Sequence, residues 1–104
     1  MTRVLVRYKV HADKVALNET LAKAVYKQLH EENLEGFRYI TFKMEDGVSF
    51  LHISFSANEQ ANKAFINLPA FKNFQANIKD RCKELPVVTP ITVIDDYNFF
   101  AHLK

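Results

Sequence analysis

The chain has 104 residues, of which 48% are hydrophobic and 25% charged, with a formal net charge of +2. This length predicts one small globular domain over residues 1–104 and leaves no room for a second independent core. The composition argues against a membrane helix, which needs roughly 18 unbroken apolar residues, and against a nucleic-acid binder, whose positive charge gathers on one face.

The N-terminal third predicts a strand followed by a helix. Residues 2–10 alternate in polarity, which is typical of a half-buried strand, and one side carries Val4, Val6, Tyr8 and Val10. Over residues 12–33 the period changes to that of an amphipathic helix. Its apolar stripe recurs every four positions, at Leu17, Leu21, Val25 and Leu29.

The middle of the chain predicts a β-hairpin. Residues 37–44 and 48–55 have strand character and flank Asp46-Gly47, a strong two-residue turn signal. Such a turn fixes the register of the two strands. The expected pairs are Phe42 with Leu51, Ile40 with Ile53, Thr41 with His52 and Tyr39 with Ser54.

The C-terminal part predicts two helices and a fourth strand. A short helix over residues 58–67 precedes a second one over residues 69–83, which begins at Pro69. A strand over residues 87–94 follows, with Pro90 placing it at a sheet edge or a bulge. The order βαββαβ predicts a ferredoxin-like α+β fold with a four-stranded antiparallel sheet.

The two faces of this sheet are expected to have different partners. The face toward the helices would carry Val4, Val6, Ile40, Phe42, Leu51 and Ile53. The other face would carry Leu5, Arg7, Phe37, Tyr39, Thr41, Phe50, His52 and Ser54. Because this second set is too apolar for open water and too polar for a dry core, we expect a homodimer that encloses it in a wet cavity. The apolar tail, residues 95–103, would reach across to the partner or fold back on its own sheet edge.

Four segments of the chain resemble the antibiotic biosynthesis monooxygenase-like family of the dimeric α+β barrel superfamily. They are the opening strand Val4-Leu5-Val6-Arg7-Tyr8-Lys9-Val10, Glu35-Gly36-Phe37-Arg38-Tyr39, Leu68-Pro69-Ala70-Phe71-Lys72-Asn73-Phe74 and Pro86-Val87-Val88. The resemblance covers nearly the whole chain and implies a homodimeric barrel. It also implies a pocket, either between sheet and helices or facing the barrel interior.

The resemblance also implies a range of activities. Some members oxidise polycyclic aromatic or quinol-like substrates with molecular oxygen and without metal or flavin, others degrade haem, and many have no known activity. Many members carry a histidine directly after the proline of the second helix, where this chain has Ala70. Haem-degrading members use a tryptophan, and this chain contains none, so a haem role is not expected.

His52 is the strongest candidate for chemistry. An imidazole with an ordinary pKa near about 6.5 takes or gives a proton at neutral pH. With His52 as general base, Tyr39 would orient it and Arg7 would stabilise an anionic phenolate or enolate. The alternative is that His52 only forms hydrogen bonds across the dimer interface.

The expected ligand site combines aromatic and small side chains: Leu5, Phe37, Thr41, Phe50, Ser54, Phe71 and Phe74. For Phe71 and Phe74, core packing is the alternative. No pair of histidines has metal-ligand spacing, so neither a metal nor a cofactor is expected. The single cysteine, Cys82, is expected to be a small buried hydrophobe. A lone cysteine and an early apolar run interrupted by basic residues favour a cytoplasmic location.

The sequence therefore indicates two candidate functions. The first is a homodimer that binds a small apolar or aromatic molecule and oxidises it as a cofactor-independent monooxygenase. The second is a non-catalytic ligand-binding or interaction module on the same dimeric fold.

Overall fold

The computed structural model describes residues 1–99 of the chain. Strand β1 (Thr2–Val10) leads through a 3₁₀ turn into helix α1 (Val15–Glu32), and strands β2 (Phe37–Lys43) and β3 (Ser49–Ser56) form the hairpin. Helices α2 (Glu59–Ile66), α3 (Pro69–Gln75) and α4 (Ile78–Arg81) precede strand β4 (Cys82–Pro90). The antiparallel sheet has the order β2-β3-β1-β4, which confirms the ferredoxin-like α+β prediction.

The predicted hairpin register is confirmed, although the turn is wider than predicted. Thr41 pairs with His52 and Tyr39 with Ser54, as expected. The strands close at the hydrogen bond from the Met44 amide to the Ser49 carbonyl, 2.8 Å, which leaves a four-residue loop in place of a two-residue turn. The Asp46 carboxylate accepts bonds from the Ser49 hydroxyl and from the amides of Val48 and Ser49, and these bonds lower its pKa to about 2.

The predicted division of the sheet faces is wrong for the hairpin. Strand β1 pairs with β3 so that Val4 lies opposite Ser54 and Val6 opposite His52, and residues directly opposite each other share a face. The face toward the helices therefore carries Val4, Val6, Phe37, Tyr39, Thr41, Phe50, His52 and Ser54. The outer face carries Leu5, Arg7, Ile40, Phe42, Leu51 and Ile53.

The buried stripe of α1 also differs from the predicted leucine stripe. An α-helix has 3.6 residues per turn, so positions four apart drift around its axis. The structure buries Asn18, Ala22 and Val25, while Leu17 is 45% exposed. A polar side chain thus enters the core beneath β1.

The predicted helix over residues 69–83 is interrupted. Helix α3 ends at Gln75, Ala76 is extended, and Asn77 adopts the left-handed conformation with φ of 60° before the single turn of α4. Strand β4 then starts at Cys82, earlier than predicted, and ends at Pro90.

Strand β4 contains Pro86 at an irregularity in its pairing with β1. Arg7 lies opposite Val87 and Lys9 opposite Glu84, so the ladder shifts register between these pairs. Proline lacks an amide hydrogen and is tolerated in a sheet at an edge or a bulge. Pro86 meets both conditions, because β4 is an edge strand and its pairing with β1 shifts register at this point.

The core lies between the sheet and the helices. Its buried members include Tyr8, Val10, Val25, Phe50, Phe65, Leu68 and Phe74, and Cys82 is buried with them as predicted. Among residues 1–99 no helix is long and apolar enough to cross a membrane. In the predicted tail, Tyr97 and Phe99 are exposed. Residues 100–104 lie outside the described part of the chain, so tail docking stays a prediction.

Candidate functional site

A cavity of about 330 Å³ lies between the sheet and the helices. Val4, Val6 and His52 contribute from the central strands, and Val88 contributes from β4. The aromatic side chains that line it are Tyr8, Tyr39, Phe65, Phe71 and Phe74. The space is of the size and apolar character of small-molecule sites in proteins.

His52 occupies the centre of this site with both ring nitrogens engaged. Its Nε2 lies 2.7 Å from the Tyr8 hydroxyl, and its Nδ1 lies 2.7 Å from the Tyr39 hydroxyl and 3.0 Å from Thr41 Oγ1. The residue is 3% exposed, and burial lowers its pKa to about 4. At neutral pH it is therefore an uncharged imidazole.

The hydrogen bonds continue behind His52 into the core. Asn18 Nδ2 donates to the Tyr8 hydroxyl at 2.9 Å, and Arg81 Nε donates to Asn18 Oδ1 at 3.2 Å. The Arg81 guanidinium also donates to the carbonyl oxygens of Phe74, at 2.6 Å, and Ala76, at 3.1 Å. The break between α3 and α4 brings these carbonyls within reach of Arg81.

The tyrosines around His52 remain protonated. Burial raises the pKa of Tyr8 and of Tyr39 above the ordinary value of a phenol. Burial likewise raises the pKa of Tyr26, whose hydroxyl lies 2.7 Å from Thr41 Oγ1. The site thus presents neutral donors rather than phenolates.

The structure brings most of the predicted site residues together. Those that line the cavity or bond to His52 are His52, Tyr39, Thr41, Ser54, Phe71 and Phe74. Phe37 shares their face and stacks on Phe65 with ring centroids 4.2 Å apart, and Phe50 is buried against Tyr8. Leu5 and Arg7 are corrections, because both lie on the outer face and line a different depression with Glu84 and Thr89.

Several residues of the site escaped the sequence analysis. Arg81 lies in a mixed-charge run that is typical of a solvated surface, and Asn18 lies beside the leucine repeat. Asn62 on α2 also lines the cavity, where its Oδ1 accepts a bond from Ser56 Oγ at 3.3 Å. The alternation of β1 had already placed Tyr8 on the same side as Val4 and Val6, and this was the one available signal.

A larger groove of about 690 Å³ lies on the opposite face of the sheet. Ile40, Phe42, Ile53 and Phe55 line it with side chains from β2 and β3. Among the described residues that line it, Arg38 alone is charged. Size alone favours this groove, but the smaller cavity holds the hydrogen-bonded histidine and tyrosines and is the better candidate for chemistry. Within residues 1–99 no group of three His, Cys, Asp or Glu side chains could hold a metal ion.

Comparisons with known proteins support the fold. No family model matches the sequence, and no curated protein sequence matches it. Among solved structures, one described as an antibiotic biosynthesis monooxygenase aligns over 91% of this chain and 100% of its own, with a TM-score of 0.75 and 13% identity. The chain has the antibiotic biosynthesis monooxygenase fold.

Two further structures share this fold. Rv0793 from Mycobacterium tuberculosis covers 91% of this chain and 96% of its own, with a TM-score of 0.75 and 18% identity. SnoaB from Streptomyces nogalater, described as a cofactor-independent oxygenase, covers 93% of this chain and 96% of its own, with a TM-score of 0.68 and 16% identity. At these identities the likeness establishes the fold of the single chain.

Proposed function

We propose that the protein binds a small aromatic or quinol-like molecule between its sheet and helices and oxidises it with molecular oxygen as a cofactor-independent monooxygenase. The observation that carries this proposal is a cavity lined by aromatic rings in which a neutral histidine and a protonated tyrosine, His52 and Tyr39, are hydrogen-bonded at 2.7 Å. The description of SnoaB, which has the same fold, supports it.

The chemistry requires that the substrate supply all the electrons. An electron-rich aromatic compound reacts with O₂ through its anion, in which negative charge is spread over an oxygen substituent. For a phenol, the reaction balances when the phenolic hydrogen and the hydrogen on the para ring carbon are lost, that carbon gains one oxygen atom of O₂ to give a quinone, and the second oxygen atom leaves as water. The protein's part is to exclude water and stabilise the anion by hydrogen bonds in a low-dielectric cavity.

The structure changes how the predicted roles are distributed. A general base needs a ring nitrogen that is free to take the substrate's proton, whereas both nitrogens of His52 are hydrogen-bonded and its pKa is lowered to about 4 by burial. We therefore assign to His52 the orientation of Tyr39. The Tyr39 hydroxyl takes over the stabilisation of the anion that was predicted for Arg7. The substrate loses its acidic proton to bulk water before it enters the cavity, and it is bound there as the anion.

The proposal includes a homodimer formed through the outer face of the sheet. Ile40 and Phe42 are each 43% exposed there, and Val87 on β4 is 62% exposed. Several exposed apolar side chains on one sheet face are typical of a protein interface. The premise of the predicted homodimer, that a second copy encloses the face with His52, Tyr39 and Thr41, is wrong because the helices cover that face. The dimer proposal therefore rests on the apolar side chains of the outer face alone.

Oxygen consumption tests the activity. We expect quinols or hydroxylated polycyclic aromatics to cause oxygen uptake by the purified protein, and Tyr39→Phe to slow it about 10²- to 10³-fold, the usual effect of losing one anion-stabilising donor. Tyr97→Phe, at an exposed tyrosine, is the matched control and should leave the rate unchanged. Equal rates in wild type and Tyr39→Phe would contradict the proposal.

A non-catalytic binding module on the same fold is the second candidate. It is favoured by one observation, namely that neither nitrogen of His52 is free to accept a proton. Such a module would bind aromatic hydroxyl compounds in the same cavity without consuming oxygen. Calorimetric binding combined with a flat oxygen trace would select it.

A further inference from the structure

Arg81 is a buried cation with no carboxylate partner among residues 1–99. It is 3% exposed, and its hydrogen bonds go to three neutral oxygens, those of Asn18, Phe74 and Ala76. Its guanidinium carbon also lies 5.0 Å from the centre of the Phe74 ring. A buried charge without a counter-ion is costly, and its field reaches further in a low-dielectric core than it does in water.

The direction of each hydrogen bond behind His52 follows from this cation. A guanidinium can only donate, so the Asn18 oxygen must face Arg81 and the Asn18 amino group must face Tyr8. The Tyr8 oxygen accepts from that amino group, so its own proton points to the nearest acceptor, His52 Nε2, at 2.7 Å. A neutral imidazole whose Nε2 accepts must carry its proton on Nδ1.

We propose that Arg81, acting through Asn18 and Tyr8, holds His52 as the Nδ1–H tautomer and thereby makes Tyr39 a hydrogen-bond donor to an oxygen atom of the ligand. In this arrangement every N–H and O–H bond between Arg81 and the cavity points toward the cavity. Arg81 and Asn18 are positioning residues, since neither lines the cavity.

Thr41 completes the arrangement on the cavity side of His52. The Nδ1–H group has two acceptors, Tyr39 at 2.7 Å and Thr41 at 3.0 Å, and the shorter contact is to Tyr39. The Tyr26 and Thr41 hydroxyls lie 2.7 Å apart, a distance that fits either as donor. The proposal takes Tyr26 as the donor, so that Thr41 has no need of the proton of Tyr39. The Tyr39 proton is therefore left for the ligand.

This inference rests on the proposed function for the ligand's place and deepens it by naming the ligand's chemistry. A site whose donors all point inward selects an aromatic molecule with an acceptor or anionic oxygen, such as a phenolate or an enolate. It disfavours an aromatic ammonium ion, which brings only further donors.

The tautomer of His52 can be measured without any ligand. In two-bond ¹H–¹⁵N spectra of the ¹⁵N-labelled full chain at pH 7.5, a protonated ring nitrogen resonates well upfield of an unprotonated one, and His52→Gln identifies the signals of His52. We expect wild type to show a protonated Nδ1 and an unprotonated Nε2. A protonated Nε2 in wild type would overturn the proposal.

Asn18→Asp tests the direction of the hydrogen bonds that lead from Arg81 to His52. An aspartate has only acceptors, so Tyr8 would turn its proton toward position 18 and His52 would protonate Nε2 in order to donate to Tyr8. We therefore expect the tautomer to reverse. Asn73→Asp, the same change at an exposed position on α3, should leave it as in wild type. An unchanged tautomer in folded Asn18→Asp would contradict the role of Arg81 and Asn18.

The ligand class is tested separately with 4-nitrophenol, whose ionised form has its own absorbance band. Donation from Tyr39 should make the ionisation constant of the bound phenol about 10-fold greater in wild type than in Tyr39→Phe. Equal constants would overturn the assignment of Tyr39 as ligand donor. Absence of binding to wild type would count against the ligand class and the proposed function. The tautomer spectra would still test the hydrogen bonds from Arg81 to His52, because they need no ligand.

Discussion

His52 is held in its neutral form by burial, and this has a consequence for stability in acid. The pKa falls from its ordinary value of 6.5 in the unfolded chain to about 4 in the folded protein. Between these values the unfolded chain binds a proton that the native state does not, so unfolding is favoured as the pH falls. The stability contributed by neutral His52 is fully present above pH 6.5 and is lost progressively toward pH 4.

We therefore predict a specific acid sensitivity that depends on this residue. Lowering the pH from 7 to 4 should remove about 3 kcal/mol from the free energy of unfolding through His52 alone. In His52→Gln this part of the pH dependence should disappear. Urea unfolding at a series of pH values measures both slopes, with His11→Gln at an exposed histidine as control. Parallel pH profiles for wild type and His52→Gln would contradict the prediction.

At the scale of residues, the hydrogen-bonding partners of His52 within the hairpin could be predicted from the sequence, and those outside the hairpin could not. The hairpin register brought Thr41 and Tyr39 to His52, because a short turn fixes strand pairing locally. Asn18 and Arg81 were out of reach, since they lie 63 positions apart and meet only after the helices pack. A buried arginine also looks the same in a sequence as one on the surface.

The break between α3 and α4 is the element on which the Arg81 position depends. Asn77 has a φ of 60°, a conformation that costs an ordinary L-residue roughly 1–2 kcal/mol and that asparagine and glycine tolerate. The break turns the chain so that Arg81 reaches back to the carbonyls of Phe74 and Ala76.

Substitutions at Asn77 should reveal this strain. Asn77→Val should lower the free energy of unfolding by about 1–2 kcal/mol, whereas Asn77→Gly should change it by less than about 0.5 kcal/mol. Asn73→Val, the same replacement at an exposed position within α3, is the matched control. Chemical denaturation measures all three, and an equal loss in Asn77→Val and Asn73→Val would rule out strain at the break.

At the scale of elements, the helices and strands were predictable and the relative phase of the strands was not. Alternation divides each strand into two sets but does not say which set of one strand matches which set of another. The hairpin settled this question for β2 and β3. Helix α1 and strand β2 lie between β1 and β3 in the sequence. No local signal therefore fixed Val6 opposite His52.

For the molecule as a whole, the proposed dimer depends on the outer face of the sheet. A glutamate in place of Phe42 would put a charge into the proposed dimer interface and should raise the dissociation constant about 30-fold or more. Leu17→Glu, at a similarly exposed leucine on α1, should leave dimerisation unchanged. Sedimentation equilibrium distinguishes the two variants, and a wild-type protein that is monomeric at micromolar concentration would remove the dimer proposal altogether.

Strand β4 also limits how copies of the chain can associate. An outermost strand normally offers its free amides to another chain, but Pro86 and Pro90 remove two of these donors, and Lys83 and Glu84 add charge. Strand-to-strand association of many copies into one continuous sheet is therefore blocked at the β4 edge. Association can stop at two molecules stacked face to face, and a concentrated solution should stay free of fibres that begin at this strand.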